Sequence, residues 1–299
     1  MPYKSDIPKP KQWFLIGVYP IFYLLSYLPF PVLYGLSNVI YILLYRLIGY
    51  RKSVVRGNLT RSFPDKNPKE ILGIERKYYK HLADLFVEII KAITISKNEL
   101  NKRMVYENPE VLQELKKRNQ SCVVVLTHSA NWEWIALASQ LNVEQDVLIT
   151  YKTLSDSNFD YLMYKMRSRF AGTPVHMNET LRAISTLNKN NEPFIVALIG
   201  DQSPSNINGV HWETFFGQDT AFLNGPSKIA KKYKLPLIYL EQEKVKRGFY
   251  RARFTNVLDV ESLSHEEAMS TCIKLMQEEI EKQPHTWLWS HKRWKHKRQ

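Results

Sequence analysis

Apolar positions follow three different rhythms along the chain. Between residues 51 and 118 they recur at helical spacing, as in "IERKYYKHLADLFVEIIKAI" (Ile74 to Ile93), which has one apolar face and one charged face. Beyond that point they gather into short solid runs rich in Val, Ile and Leu. These are "CVVVL" (122–126), "DVLITY" (146–151), "PFIVALI" (193–199), "LPLIYL" (235–240) and a shorter "TPVHM" (173–177). Segments with helix signals separate them: Asn131 to Leu141, Ser155 to Phe170, Asn178 to Asn190 with Asn178 as cap, and Gly225 to Tyr233. Strands that are apolar on both faces and alternate with helices predict an α/β fold, with a largely parallel or mixed central sheet covered by helices on both faces.

The third rhythm comes first in the chain. From Trp13 to Tyr45, "WFLIGVYPIFYLLSYLPFPVLYGLSNVIYILLY", there is no charged residue, which exceeds the roughly 20 residues a helix needs to cross a bilayer. Pro20 and the "PFP" at Pro29 to Pro31 break the run into two pieces, about Trp13 to Leu28 and about Val32 to Leu47. Both flanks are basic, with Lys4, Lys9 and Lys11 before and Arg46, Arg51, Lys52 and Arg56 after. Cytoplasmic flanks carry the positive excess, so this pattern predicts a re-entrant or hairpin element with both ends inside. The competing reading is a pair of buried core helices. The chain thus divides into an N-terminal membrane-associated helical segment, 1–50, and a main domain, 51–299. The main domain comprises a helical lead-in (51–118), an α/β core (119–260), and a C-terminal helix with a basic aromatic tail (261–299).

Charge sharpens this picture. The 299 residues carry a formal net charge of +13, which suits a polyanionic partner: an anionic membrane face, a phosphorylated substrate, an acidic carrier protein or nucleic acid. Nothing in the chain matches an RNA-binding signature or a helix-turn-helix, so nucleic acid is set aside. Cys122 and Cys272 are far apart and lack C-x-x-C spacing, so they read as free core thiols and no metal or cofactor is implied.

In such sheets functional residues gather at the carboxyl ends of strands. There the chain reads "THSANWE" after Leu126, "YK" at Tyr151 and Lys152, and "GDQS" after Ile199. His128 leaves the first strand, Ser129 or Asn131 can cap the next helix, and Glu133 falls in its first turn. A carboxylate on one imidazole nitrogen fixes the tautomer and leaves the other free to take a hydroxyl proton. The bland alternative is a cap with an ion pair. Ser129 is not in a G-x-S-x-G elbow and Cys122 lies inside the strand, so attack by a substrate hydroxyl is favoured over a covalent enzyme intermediate. Asp201 and Gln202, after the strand ending at Ile199, either position His128 or a backbone loop or form a generic strand-end turn that needs no function.

"HSANWE" resembles the His-x4-Asp/Glu motif of the glycerolipid acyltransferase superfamily, and in its "NWE" form it is similar to the lipid A secondary acyltransferases of Gram-negative bacteria. "MRSRFAG" (166–172), Arg182, "GDQS" (200–203), "FFG" (215–217), "NGPSKIAKK" (224–232) and "PHTWLWSHKRWK" (284–295) follow in the same order as in that family. The resemblance implies transfer of a fatty acyl group from acyl carrier protein or acyl-CoA to a hydroxyl of a phosphorylated glycolipid. It places the enzyme at the bacterial inner membrane, with the catalytic domain on the cytoplasmic face. His128 would be the base and Glu133 its orienting partner, with Lys152, Arg167, Arg169, Asp201 and Gln202 meeting substrate. Lys152 departs from the family's arginine and lacks its bidentate fork, which leaves room for lysophospholipid, glycerol phosphate or an amino-acid lipid as acceptor.

Three of these assignments have structural alternatives. Arg167 and Arg169 also suit the end of a helix. Phe215, Phe216 and Phe222 line an acyl groove or form a cluster under a loop. The tryptophans of "WLWSHKRWKHKRQ" rest on anionic headgroups or belong to the core.

Overall fold

Strand β-forming residues after Cys122 alternate between two cores. Val123 and Val125 belong to one apolar cluster, and Cys122, Val124 and Leu126 to another, each on its own face of the sheet. All five are buried, which is why this strand reads as an unbroken apolar run. The computed structural model describes residues 6–189 and 191–298; Lys4 and Asn190 lie outside them.

In chain order, α1 (Tyr19–Ser26) is entered through a π-turn, and α2 (Phe30–Tyr41) continues as π-helix to Ile48. Then come α3 (Lys52–Ser62), α4 (Pro68–Lys91), α5 (Lys97–Arg103), β1 (Met104–Glu107) and α6 (Glu110–Lys117). The core follows: β2 (Cys122–Leu126), α7 (Trp132–Asn142), β3 (Asp146–Tyr151), α8 (Ser157–Arg167), β4 (Thr173–His176), α9 (Thr180–Lys189) and β5 (Phe194–Ile199). A hairpin of β6 (His211–Phe215) and β7 (Gln218–Phe222) leads to α10 (Gly225–Tyr233), β8 (Leu237–Lys246), β9 (Phe249–Leu258) and α11 (His265–Lys282).

The main sheet has the order β1-β9-β8-β2-β5-β3-β4. Its pairs are parallel except β8 with β9, so β1 and β9 run against the other five strands. The apolar runs locate β2, β3, β4, β5 and the first half of β8. They do not reveal β1, inside the helical lead-in, or β9, whose charged residues alternate with apolar ones. They also miss the hairpin β6–β7, which replaces the predicted loop. Its turn is made at Phe216 and Gly217, both with positive φ (52° and 67°), a conformation that glycine adopts without cost.

The N-terminal hairpin is built inside out. Ser37 donates to Asp84 Oδ1 at 2.7 Å, Tyr34 OH to Glu88 Oε1 at 2.9 Å, and Lys91 Nζ to the carbonyls of Ser26 and Leu28 at 3.0 Å each. Its polar groups face α4, while Trp13, Ile16, Ile21, Leu24, Leu47 and Ile48 face outward. The helix Phe30–Ile48 is long and apolar enough to cross a membrane, and only 17% of it is buried. That arrangement excludes the reading as buried core helices.

Candidate active site

His128 and Asp201 are brought together by strand register. Leu126 of β2 pairs with Ile199 of β5, and Gly200 N donates to Leu126 O at 3.1 Å. Each strand therefore releases its polar residue two positions beyond the last pair. The crossing is close-packed: a Cβ on Gly200 would stand 3.0 Å from the Met276 methyl, which would have to shift to admit it.

Asp201, 1% exposed, accepts three hydrogen bonds: from His128 N at 2.9 Å, from His128 Nδ1 at 2.7 Å and from Trp287 Nε1 at 2.6 Å. Burial alone would raise its carboxyl pKa, but the His128 ring and these donors hold it down to about 2. An ionised Asp201 assigns the ring proton to Nδ1, which leaves the Nε2 lone pair available. Nε2 meets the Gln202 side-chain amide at 3.2 Å, and the edge of the imidazole packs on Trp132. With its side chain 17% exposed, His128 remains open to a reactant.

Glu133 lies elsewhere. Asn131 caps α7 by accepting from Trp134 N at 2.9 Å, and the first turn then points Glu133 toward α8. There Arg167 grips it through two bonds, Nε to Oε2 at 2.9 Å and Nη2 to Oε1 at 2.7 Å, while Trp132 Nε1 adds a third at 3.1 Å. The expected Glu133 contact to His128 is thus replaced by Asp201, and Glu133 instead fixes Arg167. The Arg167 guanidinium lies 5.4 Å from the Tyr151 ring centroid.

The other predicted residues separate. Arg169 donates to the carbonyls of Ala92 and Ile95, closing the carboxyl end of α4. It thus serves a helix end, but that of α4 and not that of the helix it follows. Lys152 is exposed at the mouth of the sheet and donates to Ser205 Oγ at 3.2 Å. Phe215 and Phe222 are fully buried and Phe216 nearly so, in one cluster with Trp287 and Trp289. They therefore form core, not a groove, and the same holds for those two tryptophans. Cys122 and Cys272 are buried free thiols, both pushed up to about 12 by burial. Among the described residues no cluster of His, Cys, Asp and Glu is placed to hold a metal ion.

The loop that carries His128 is braced from both sides by buried carboxylates. Ala130 adopts the left-handed conformation (φ 50°), which costs an alanine about 1–2 kcal/mol, and His81 Nε2 donates to its carbonyl at 2.9 Å. Glu88 accepts from Asn131 Nδ2 and Tyr250 OH at 2.7 Å each and from Tyr34 OH. On the other side Glu279 accepts from Thr127 Oγ1 at 2.6 Å, Tyr239 OH at 2.8 Å and Gln242 N at 3.0 Å. Burial pushes both carboxyls up to about 7, against the pull of these donors. The bracing residues His81, Glu88, Tyr239, Gln242, Tyr250 and Glu279 do not figure in the sequence expectations. Their signal is nonetheless there: His81, Asp84 and Glu88 share one face of α4, and Glu279 interrupts the apolar stripe of α11 at Cys272, Met276 and Ile280.

No curated protein matches this chain. The family described as bacterial lipid A biosynthesis acyltransferase matches residues 2–296. With that match spanning nearly the whole sequence, the chain belongs to the bacterial lipid A biosynthesis acyltransferase family and is an acyltransferase.

Proposed function

We propose that the protein moves a fatty acyl chain from the thioester of acyl carrier protein to a hydroxyl of a lipid A precursor, a phosphorylated glycolipid, at the cytoplasmic face of the bacterial inner membrane. The supporting observation is the His128–Asp201 pair at the ends of two adjacent parallel strands, which leaves Nε2 facing only the Gln202 amide among the described residues. The acceptor hydroxyl takes the place of that amide. Its oxygen bonds to the thioester carbonyl carbon while its proton passes to Nε2. Asp201 stabilises the imidazolium so formed. The tetrahedral intermediate then expels the thiolate, which takes the proton from Nε2 and leaves an ester and a carrier thiol.

Gln202 and Arg167, the latter held by Glu133, supply hydrogen-bond donors where the oxyanion develops. Lys152 stands at the mouth to meet acceptor phosphate, and Arg169, engaged with α4, takes no part. The apolar outer face of α1 and α2 seats the protein on the bilayer, with both basic flanks on the cytoplasmic side.

The test offers purified protein acyl carrier protein or acyl-CoA thioesters together with lipid A precursor, lysophospholipid or glycerol phosphate, and reads products by mass spectrometry. An extra acyl chain on the lipid A precursor is expected, and none with His128→Ala. Acylation of glycerol phosphate alone would remove the lipid A assignment, and equal turnover by the variant would remove His128 as base.

A further inference from the structure

One face of β7 holds three side chains in a row. Gln218 Oε1 accepts from Arg61 Nε at 3.0 Å, Thr220 Oγ1 accepts from Trp294 Nε1 at 2.9 Å, and the Phe222 ring lies 4.2 Å from the Arg293 guanidinium. Alternate strand positions share a face, so α3 and the C-terminal strap after α11 are packed side by side against β7. Between α3 and the strap opens a cavity of about 270 Å³, lined by Ser53, Asn58, Arg61, Lys292, Trp294 and Lys295 among others. It brings together three cationic side chains and no carboxylate.

Hydrogen-bond accounting points the same way. Arg293, between two lining residues, is 1% exposed; it lies over the Phe222 ring and feels the charge of Asp201, yet none of its three guanidinium nitrogens has a hydrogen-bond partner among the described residues. The same is true of Gln218 Nε2, on the side chain that holds Arg61, and of the Ser62 hydroxyl next to Arg61. These groups lie next to lining residues, and the cavity's own cations, Arg61, Lys292 and Lys295, meet no carboxylate in its lining. An acceptor-only anion would supply what these donors lack. Because these cations line a cavity and not a flat face, a small group that enters it suits them better than an acidic protein surface resting on Lys292 and Lys295.

We propose that this cavity binds a phosphate monoester on the headgroup of the lipid acceptor, gripped by Arg61, Lys292 and Lys295 beside the buried Arg293. The assignment rests on the acyl-transfer reading above. The same strap reaches the catalytic pair, since Trp287 donates to Asp201 and Leu288 N donates to His128 O at 3.2 Å. A phosphate anchored here therefore sets the register of the acceptor hydroxyl at His128.

The experiment has two arms on the full chain in detergent. In the first, ³¹P line broadening of inorganic phosphate and phenyl phosphate reports binding without turnover. The Lys292→Ala/Lys295→Ala variant, changed only at exposed positions, should weaken it roughly ten-fold, and the corresponding double Arg variant should retain it. In the second, KM for the phosphorylated acceptor should rise by a similar factor in the Ala variant, with kcat nearly unchanged and no effect on a dephosphorylated acceptor. Equal broadening in wild type and Ala variant overturns the site. So does a KM effect that appears instead on acyl carrier protein. Phosphate binding that depends on the two lysines, in a protein without acyl transfer, would leave the anion site standing and remove the functional reading.

Discussion

The loop around His128 and the N-terminal hairpin bury opposite kinds of group. In the loop, Thr127, Ser129, Asn131 and Glu133 are buried and hydrogen-bonded, and Glu88 and Glu279 stand behind them. In the hairpin, Ile16, Leu24 and Leu47 are 70%, 69% and 72% exposed, while Ser26 and Ser37 are buried. A satisfied polar network in a low-dielectric interior fixes one geometry, which a general base requires. A surface with its apolar groups outside is stable only in a non-aqueous setting or against a partner. The two regions meet at Glu88, which accepts from Tyr34 of the hairpin and Asn131 of the loop.

The largest expected effect separates the two carboxylates near His128. Asp201→Asn should lower kcat roughly 10²–10⁴-fold with little change in KM, because the tautomer and the stabilised imidazolium are lost. Glu133→Gln also lowers activity, but by releasing Arg167, and it leaves a buried cation unpaired at a stability cost of about 3–5 kcal/mol. Denaturation of Glu133→Gln, Arg167→Met and the double variant should therefore show a double loss well below the sum of the two. Additive losses would break the assignment of Glu133 to Arg167.

Next comes the inversion of the hairpin. Ser37→Val removes a buried donor to Asp84 and should cost about 1–3 kcal/mol of stability. Leu47→Glu, on the outer face, should stay within about 0.5 kcal/mol yet weaken sedimentation with anionic phospholipid vesicles. If the exposed change were the more destabilising of the two, the outward apolar face would have to be packed in solution.

The smallest effect is in the pH dependence. For Glu88 and Glu279 the folded value of about 7 lies above the ordinary carboxyl value of 4.5. The folded state therefore holds more protons than the unfolded state between these limits. Their contribution is complete below about 4.5 and is lost as pH rises through 7, at up to about 1.4 kcal/mol per pH unit for each group. Asp201 works in the opposite sense, but only as pH falls from 3.8 through about 2. Buried His81, His285 and His291 are held below their ordinary value of 6.5 and work in the opposite sense as pH falls below it, so the carboxyls are read by difference: in chemical denaturation Glu279→Gln should gain stability relative to wild type as pH rises from 5 to 8.

Much of this was legible in the residues. Unbroken apolar runs mark strands buried on both faces, and five of the seven main-sheet strands announce themselves in that way. Strands β1 and β9 do not, because a strand with one wet face carries charges such as Arg251 and Arg253 that read as loop or helix. The tryptophans and phenylalanines near the C-terminus were ambiguous because aromatic rings suit core and interface equally well. Only their packing against one another, with Trp287 and Trp289 rings 4.6 Å apart, identifies them as core.

The sequence by itself determined that a histidine stands at the exit of a central strand, with carboxylates within reach and an uncharged segment ahead of it. Which carboxylate serves that histidine was a tertiary decision. Closeness along the chain favours Glu133, but the left-handed Ala130 and the Asn131 cap carry it round to Arg167. Asp201, seventy-three residues away, is delivered instead by the pairing of Leu126 with Ile199. That register is set by strand packing across the sheet and leaves no mark on either segment alone.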